Sequence, residues 1–242
     1  PEDKSLIISE GTRIVFKDYF SITVNGSLKA LGNETDSIYF TACDTAGFFN
    51  WKKGKGGWNG LILQNAKDTV ILDYCHFSFG KAVSSQKPKA KSQKPKAKSQ
   101  QPTANFGGAL RIYNSIVSIS NSTFYHNLTT SKGGALYAEH SSINISNCEV
   151  DSMHGAGFQF SNCDVEMEDM YFHDNYCANC YGGGANFDSC NVYVNKAVFE
   201  DNYAVNAAGM GIQRSNDFEV RVSNCLFDNN IAYHYGGAMA MA

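Results

Sequence analysis

The chain has 242 residues, 43% of them hydrophobic, with 20 Lys and Arg against 23 Asp and Glu and a net charge of −3. That is enough apolar residue for a sizeable core, yet no run reaches the length of a membrane-spanning helix. The opening Pro1-Glu2-Asp3-Lys4 is not a signal peptide.

In chain order, residues 11–16 and 22–28 read as short strands joined by turns, and residues 38–41 follow them. A loop holding Trp51 and Trp58 then leads into Gly60-Leu61-Ile62-Leu63. Residues 1–59 are therefore expected to form one or two irregular opening coils that start a stack and partly cover its end. Residues 60–242 read as its regular part, interrupted at 81–105. That interruption carries seven Lys and no acidic residue, with KPKAKSQ repeated in tandem. Without it, 13 basic residues face 23 acidic ones, so the body is about −10. Pro and Lys without large apolar side chains bury no core, so a disordered or extended loop is expected. No aromatics are interleaved to stack bases, which excludes nucleic acid as its partner.

From residue 107 a Gly-rich turn recurs: GGAL at 107 and 133, GAGF at 155, GGAN at 183, GMGI at 209 and GGAM at 236. The starts lie 26, 22, 28, 26 and 27 residues apart, the period of one coil of a parallel β-helix. The fold class is all-β: a solenoid of about seven to eight coils of 22–28 residues. The last GGAM turn stops inside a coil without a polar cap, so a longer protein is expected, with end-to-end or lateral assembly as a further expectation.

Aligning the copies on Phe77, Phe124, Val150, Phe172, Phe199 and Phe227 gives an inward column seven positions earlier: Val70, Val117, Ile143, Val165, Val192 and Val220. A second column, five positions back, holds Leu72, Ile119, Ile145, Met167, Val194 and Val222. The change of parity before the closing residue implies a bend between two short strands. Three positions after it, Asn127, Asn175, Asn202 and Asn230 recur, as for a structural asparagine ladder at a corner.

The eight Cys divide by position. Cys75, Cys148 and Cys225 share an inward column too far apart to bridge and read as free thiols. Cys163 and Cys190 sit at equivalent positions in adjacent coils, where a disulfide or a stacked thiol pair would fit. Cys177 and Cys180 form a C-x-x-C among glycines, better suited to a local disulfide than to a redox or metal site.

Candidate chemistry lies just after the closing residue. Asp151, His173, Glu200 and Asp228 stand one position on, with Asp174 and Asp201 among those two positions on. Asp174, Glu200, Asp201, Asp228 and His173 are the candidates for acid–base catalysis on a glycosidic bond. Asp151, Asp174, Asp201 and Asp228 are the candidates for Ca²⁺, which takes oxygen ligands. No other cofactor is implied.

GGA-[LIM] combined with F-x-x-N resembles the repeat of the chlamydial polymorphic outer membrane proteins. The matching residues are 107–110, 124–127, 133–136, 172–175, 199–202, 227–230 and 236–239, with a departure at 150–153. The resemblance implies a right-handed parallel β-helix, as in the passenger of those autotransported adhesins. The resulting expectation is a non-catalytic extracellular or cell-surface structural or adhesive segment. Its partners would be other protein subunits or host and cell-surface glycans. The alternative is a carbohydrate-active β-helix or glycan-binding module.

Overall fold

The computed structural model describes residues 5–66, 68–83, 106–214 and 217–242, and every regular element among them is a β-strand. The strands pair in parallel, each with its counterpart one coil away, so that the chain winds through the same stations eight times. Most of the candidate insertion, residues 84–105, lies outside the described residues.

The alternating columns give the first two faces. Val70 pairs with Val117, Val117 with Ile143, Ile143 with Val165, Val165 with Val192 and Val192 with Val220. The closing residues are stacked likewise, from Phe40 and Phe77 to Phe227. Phe77 lies 5.0 Å from Phe124, and Phe199 lies 4.9 Å from both Phe172 and Phe227, ring over ring. At Val150, where the repeat loses its Phe, Phe158 from the opposite wall enters edge-on between Phe124 and Phe172. Such aromatic pairs add about 0.5–1.5 kcal/mol beyond their burial.

The bend between these faces has a backbone cause. Tyr74, Asn121, Asn147, Asp169, Lys196 and Asn224, each three positions before the closing residue, are all left-handed. One such residue flips the side-chain parity and turns the strand. In two coils the turn is smooth enough that Ser142–Asp151 and Asp164–His173 run through both faces unbroken.

A further wall follows the Gly-rich turns, in eight strands that include Leu110–Tyr113, Phe158–Ser161, Ala185–Asp188 and Met210–Gln213. The turns require glycine: Gly133 is left-handed, and a Cβ there would strike the Leu136 carbonyl. A short fourth side is built from Lys81–Ala82 and Leu128–Thr129, continued by bridges through His154 to Tyr176–Tyr181.

Lys81 and Ala82 correct the expected limits of the insertion, because both are strand residues and fully buried. The Lys81 ammonium is held by the carbonyls of Lys55, at 2.9 Å, and Gly47, at 3.3 Å. It therefore pins the loop 43–57 against this side of the coil. Burial without a facing carboxylate pushes its pKa down to about 8. The same loop sends Trp58 into the core, stacked 4.5 Å from Phe16, with its indole N–H donated to Ser78 O at 2.8 Å.

Asn127, Asn175 and Asn202 are buried at the corner, and Asn175, Asn202 and the partly buried Asn230 are linked. Asn175 Nδ2 donates to Val150 O at 2.9 Å and to Asn202 Oδ1 at 2.8 Å, while its Oδ1 accepts from Met153 N at 3.1 Å. Asn202 repeats the pattern with Phe172 O and Asn230 Oδ1. Met153 stands where the ladder would have its next rung, so Asn127 works alone, between Phe77 O and Gly80 N.

Cys163 and Cys190 do not bridge. The Cys163 backbone N–H points to Cys190 Sγ at 3.4 Å, and each thiol donates to the carbonyl two residues before it. Ser115 and Ser141 do the same in earlier coils, so the thiols substitute for hydroxyls that cap this corner. Cys75, Cys148 and Cys225 cap the other bend alike.

Candidate functional site

Three surfaces carry grouped polar side chains. On the first, the register sets Asp151, His173, Glu200 and Asp228 side by side. His173 draws in Glu149 at 3.0 Å on Nε2, and Asp174 at 2.9 Å and Asp151 at 3.6 Å on Nδ1. Burial disfavours its charge, but hydrogen bonds to Asp174 and Glu149 and the charge of Asp151 outweigh that and raise its pKa. Both ring nitrogens face carboxylates, which suits an imidazolium donating twice. His173 is thus a cationic clip that neutralises a crowded acidic corner.

The candidate acid–base and Ca²⁺ residues are therefore brought together only in part. Among the described residues, Asp151, His173 and Asp174 offer ligand atoms within 4.8 Å of one another; Asp201 and Asp228 fall outside that group. Glu200 instead accepts the Tyr171 hydroxyl at 2.5 Å, which holds that phenol's pKa up to about 12. Asp174 and Asp201 share the same left-handed backbone, so the difference lies in the side chains: His173 gathers the carboxylates around it, and the equivalent place in the next coil is Glu200. An imidazole among the donors also departs from the all-oxygen shell of Ca²⁺.

The second surface is the outer face of the first wall, an open hollow of about 510 Å³ beside Asp164, Glu166, Tyr193, Glu219 and Arg221. Its charges are satisfied locally: Asp164 by Asn191 at 2.7 Å, Glu166 by Asn144 at 3.4 Å, and Glu219 by Arg221 at 2.6 Å. The face is an amide-covered strand array.

The third surface is a groove of about 470 Å³ on the side of the coil pinned by Lys81. Its floor comes from outward positions of the wall after the Gly turns, where Gln159 pairs with Asn186 and Asn186 with Gly211. Asn186 Nδ2 donates to Gln159 Oε1 at 2.9 Å and to Gln213 Oε1 at 3.2 Å. One rim is a bulge. Tyr176 and Cys177 pair with Tyr203 and Ala204, residues 178–180 leave the ladder, and pairing resumes at Tyr181. A disulfide between Cys177 and Cys180 closes that bulge. The other rim is the loop 43–57, which presents Trp51, 55% exposed, and lays Phe49 edge-on to His154 at 4.8 Å. Burial, together with the charge of His126, lowers the His154 pKa.

This groove was not legible as a site in the sequence. Its floor residues are outward by strand parity, yet Gln159 and Asn186 are buried, so the strands show no alternation. The signal available was the recurrence of amides, Gln159, Asn186 and Gln213, one coil apart.

Parallel pairing at every station, the inward stacks and the amide ladder define a β-helix repeat protein. The family described as the right handed beta helix region matches residues 107–240, more than half of the chain, and the chain belongs to that family. No curated protein and no solved structure matches the chain.

Proposed function

We propose that the chain is a non-catalytic structural and adhesive segment of an extracellular or cell-surface protein, a stalk or passenger that binds protein subunits or surface glycans through its sides. The observation that carries this reading is the asparagine ladder, Asn175–Asn202–Asn230. It adds side-chain hydrogen bonds along the axis to those of the strands and stiffens the coil. The repeat's likeness to the passengers of chlamydial polymorphic outer membrane proteins points the same way. The Cys177–Cys180 disulfide suits an oxidising compartment.

The corner residues weigh against the carbohydrate-active alternative. Glycosidic cleavage needs one carboxyl free to give a proton and a second facing the sugar. His173 is engaged by Glu149 and Asp174, and Glu200 is tied to Tyr171. The test is to coat beads with the chain, measure adhesion to cells and to arrayed glycans, and assay the same glycans for new reducing ends or unsaturated uronates. Adhesion without products is expected. Turnover abolished by Asp174→Asn or Glu200→Gln would overturn the proposal.

A further inference from the structure

We propose that the loop 43–57 is an acid-released lid, which lifts off the fourth side of the coil when His126 and His154 beside it are protonated.

The loop is held in a way that lets it open without unfolding the coil. Its ends are fixed, one by Cys43 N–H on Phe16 O at 2.8 Å, the other by the buried Trp58. Between them lie Gly47, Gly54, Gly56 and Gly57, and the turns close on the loop itself, with Phe48 N on Thr45 O, Asn50 N on Gly47 O and Lys53 N on Asn50 O. Among the described residues, the hydrogen bonds from the coil to residues 44–57 are the two from the Lys81 ammonium. The apolar anchor is Phe48, which packs with Val83, Leu128, Tyr19 and Phe79 in a small cluster separate from the main core. A segment held by such a satellite opens at a fraction of the free energy of global unfolding.

Two imidazoles adjoin that anchor. Phe49 lies 4.8 Å from the His154 ring, and Phe79, which Phe48 meets at 5.3 Å, packs against His126 at 5.9 Å. His126 Nδ1 is buried and has no hydrogen-bond partner among the described residues. In an imidazolium both ring nitrogens are donors, so a charged His126 points a buried N–H at no acceptor until the packing over it loosens.

The surrounding charges are mostly of one sign. The loop carries Lys52, Lys53 and Lys55 against Asp44, Lys81 is buried beneath it, and Lys132 shares the groove with His154. The opposing carboxylate is Asp151, whose charge favours a protonated His126, while His126 disfavours a protonated His154. Tyr125, 3.9 Å from the His126 ring, and Tyr176, bridged to His154 through the backbone, are the other titratable neighbours. Burial is the largest influence on both imidazoles and lowers both pKa values from the ordinary 6.5. The open lid therefore binds the extra protons. Below pH 6.5 the open-to-closed ratio rises by up to about tenfold per pH unit for each histidine, until the closed-state values are passed.

Hydrogen exchange of residues 44–57, corrected for its intrinsic pH dependence, is measured from about pH 7.5 to about 4.5, where imidazole titrates. Iodide quenching of Trp51, which sits in the lid, is followed alongside, with the buried Trp58 as the core reporter. Acidification should lower protection of 44–57 at least tenfold and raise Trp51 quenching, while Leu110–Tyr113 stays protected and far-ultraviolet dichroism is constant. His154→Gln and His126→Leu should each reduce the steepness on pH, and the double variant should abolish it; if the double variant does not fold, the single ones decide. Unchanged protection in the parent would overturn the proposal. So would unchanged steepness in both single variants, or loosening of 44–57 only in step with Leu110–Tyr113, which is global acid unfolding.

Discussion

Replacing Asn175 by alanine removes three hydrogen bonds from a site with no solvent access. The Met153 N–H loses the Oδ1 acceptor at 3.1 Å, and an orphaned buried donor costs about 1–3 kcal/mol. The donations to Val150 O and Asn202 Oδ1 go as well, each worth about 1 kcal/mol net; Asn202 Oδ1 keeps the Asn175 backbone N–H at 3.3 Å. Adding the small void left by the amide, the expected loss is roughly 3–5 kcal/mol. Asn144→Ala is the control: it is exposed, with one long contact to Glu166 at 3.4 Å, and should cost less than about 0.5 kcal/mol. Urea unfolding followed by far-ultraviolet dichroism gives the comparison. Hydrogen exchange at Met153 and Asn202 reports whether the damage is confined to neighbouring coils, as nearest-neighbour coupling requires. Asn175→Asp keeps the acceptor but buries a charge beside two oxygens, so its destabilisation should lessen as the pH falls and the carboxyl is protonated. If Asn175→Ala and Asn144→Ala were indistinguishable, the ladder would not be what holds this corner.

Further outcomes follow from single residues. Lys81 is held at about 8, below its ordinary 10.5, so between those values the unfolded chain binds the extra proton and stability should rise with pH; Lys81→Met should flatten that rise in pH-dependent melting. His173 has the opposite sign. Its pKa is raised above the usual 6.5, so its contribution is complete below that value and is lost as pH climbs through the folded pKa. His173→Gln should remove this dependence, and about 1 kcal/mol of stability at pH 6 once solvent screening is counted. Gly133→Ala should cost more than an ordinary Gly→Ala change, by several kcal/mol in urea midpoints, because positive φ and contact with the Leu136 carbonyl act together.

The spacing of the Gly turns and the stacked Val and Phe columns carried most of the architecture, because a solenoid repeats its burial pattern with its backbone. What stayed hidden were features that the backbone repeats and the side chains do not. The left-handed bend is filled by Asn121, Asn147, Asp169 and Asn224, which favour it, but by Tyr74 and Lys196 in other coils, so residue type alone does not mark the position. The wall at Leu110–Tyr113 and its equivalents lacked the period-two signal because its outer positions are covered too: Arg111 donates to Phe106 O and Asn59, and Tyr137 packs on Phe106. The acidic corner was visible as composition. Its arrangement was not, since the same position turns left-handed in every coil and the carboxylates are sorted by their side-chain partners, His173 for Glu149 and Asp174 and Tyr171 for Glu200.

A solenoid separates structure from function by side-chain parity. Inward positions must repeat, because each is packed by its copies above and below, so a change such as Phe to Val at 150 is answered at once by Phe158. Outward positions are free to differ from coil to coil unless something covers them. The places to look for activity are therefore outward positions that are nevertheless buried. Here they run from Arg111 through Tyr137 and Gln159 to Asn186 and stop at Gly211. Residues 106 and 59 satisfy the first of these, and the amides satisfy one another until Asn186, whose Oδ1 is enclosed against Gly211 and the Tyr181 ring. Glycine at 211 is what lets Tyr181 and Asn186 close over the column, since a Cβ there would lie 2.7 Å from the Tyr181 ring and 2.6 Å from Asn186 Oδ1.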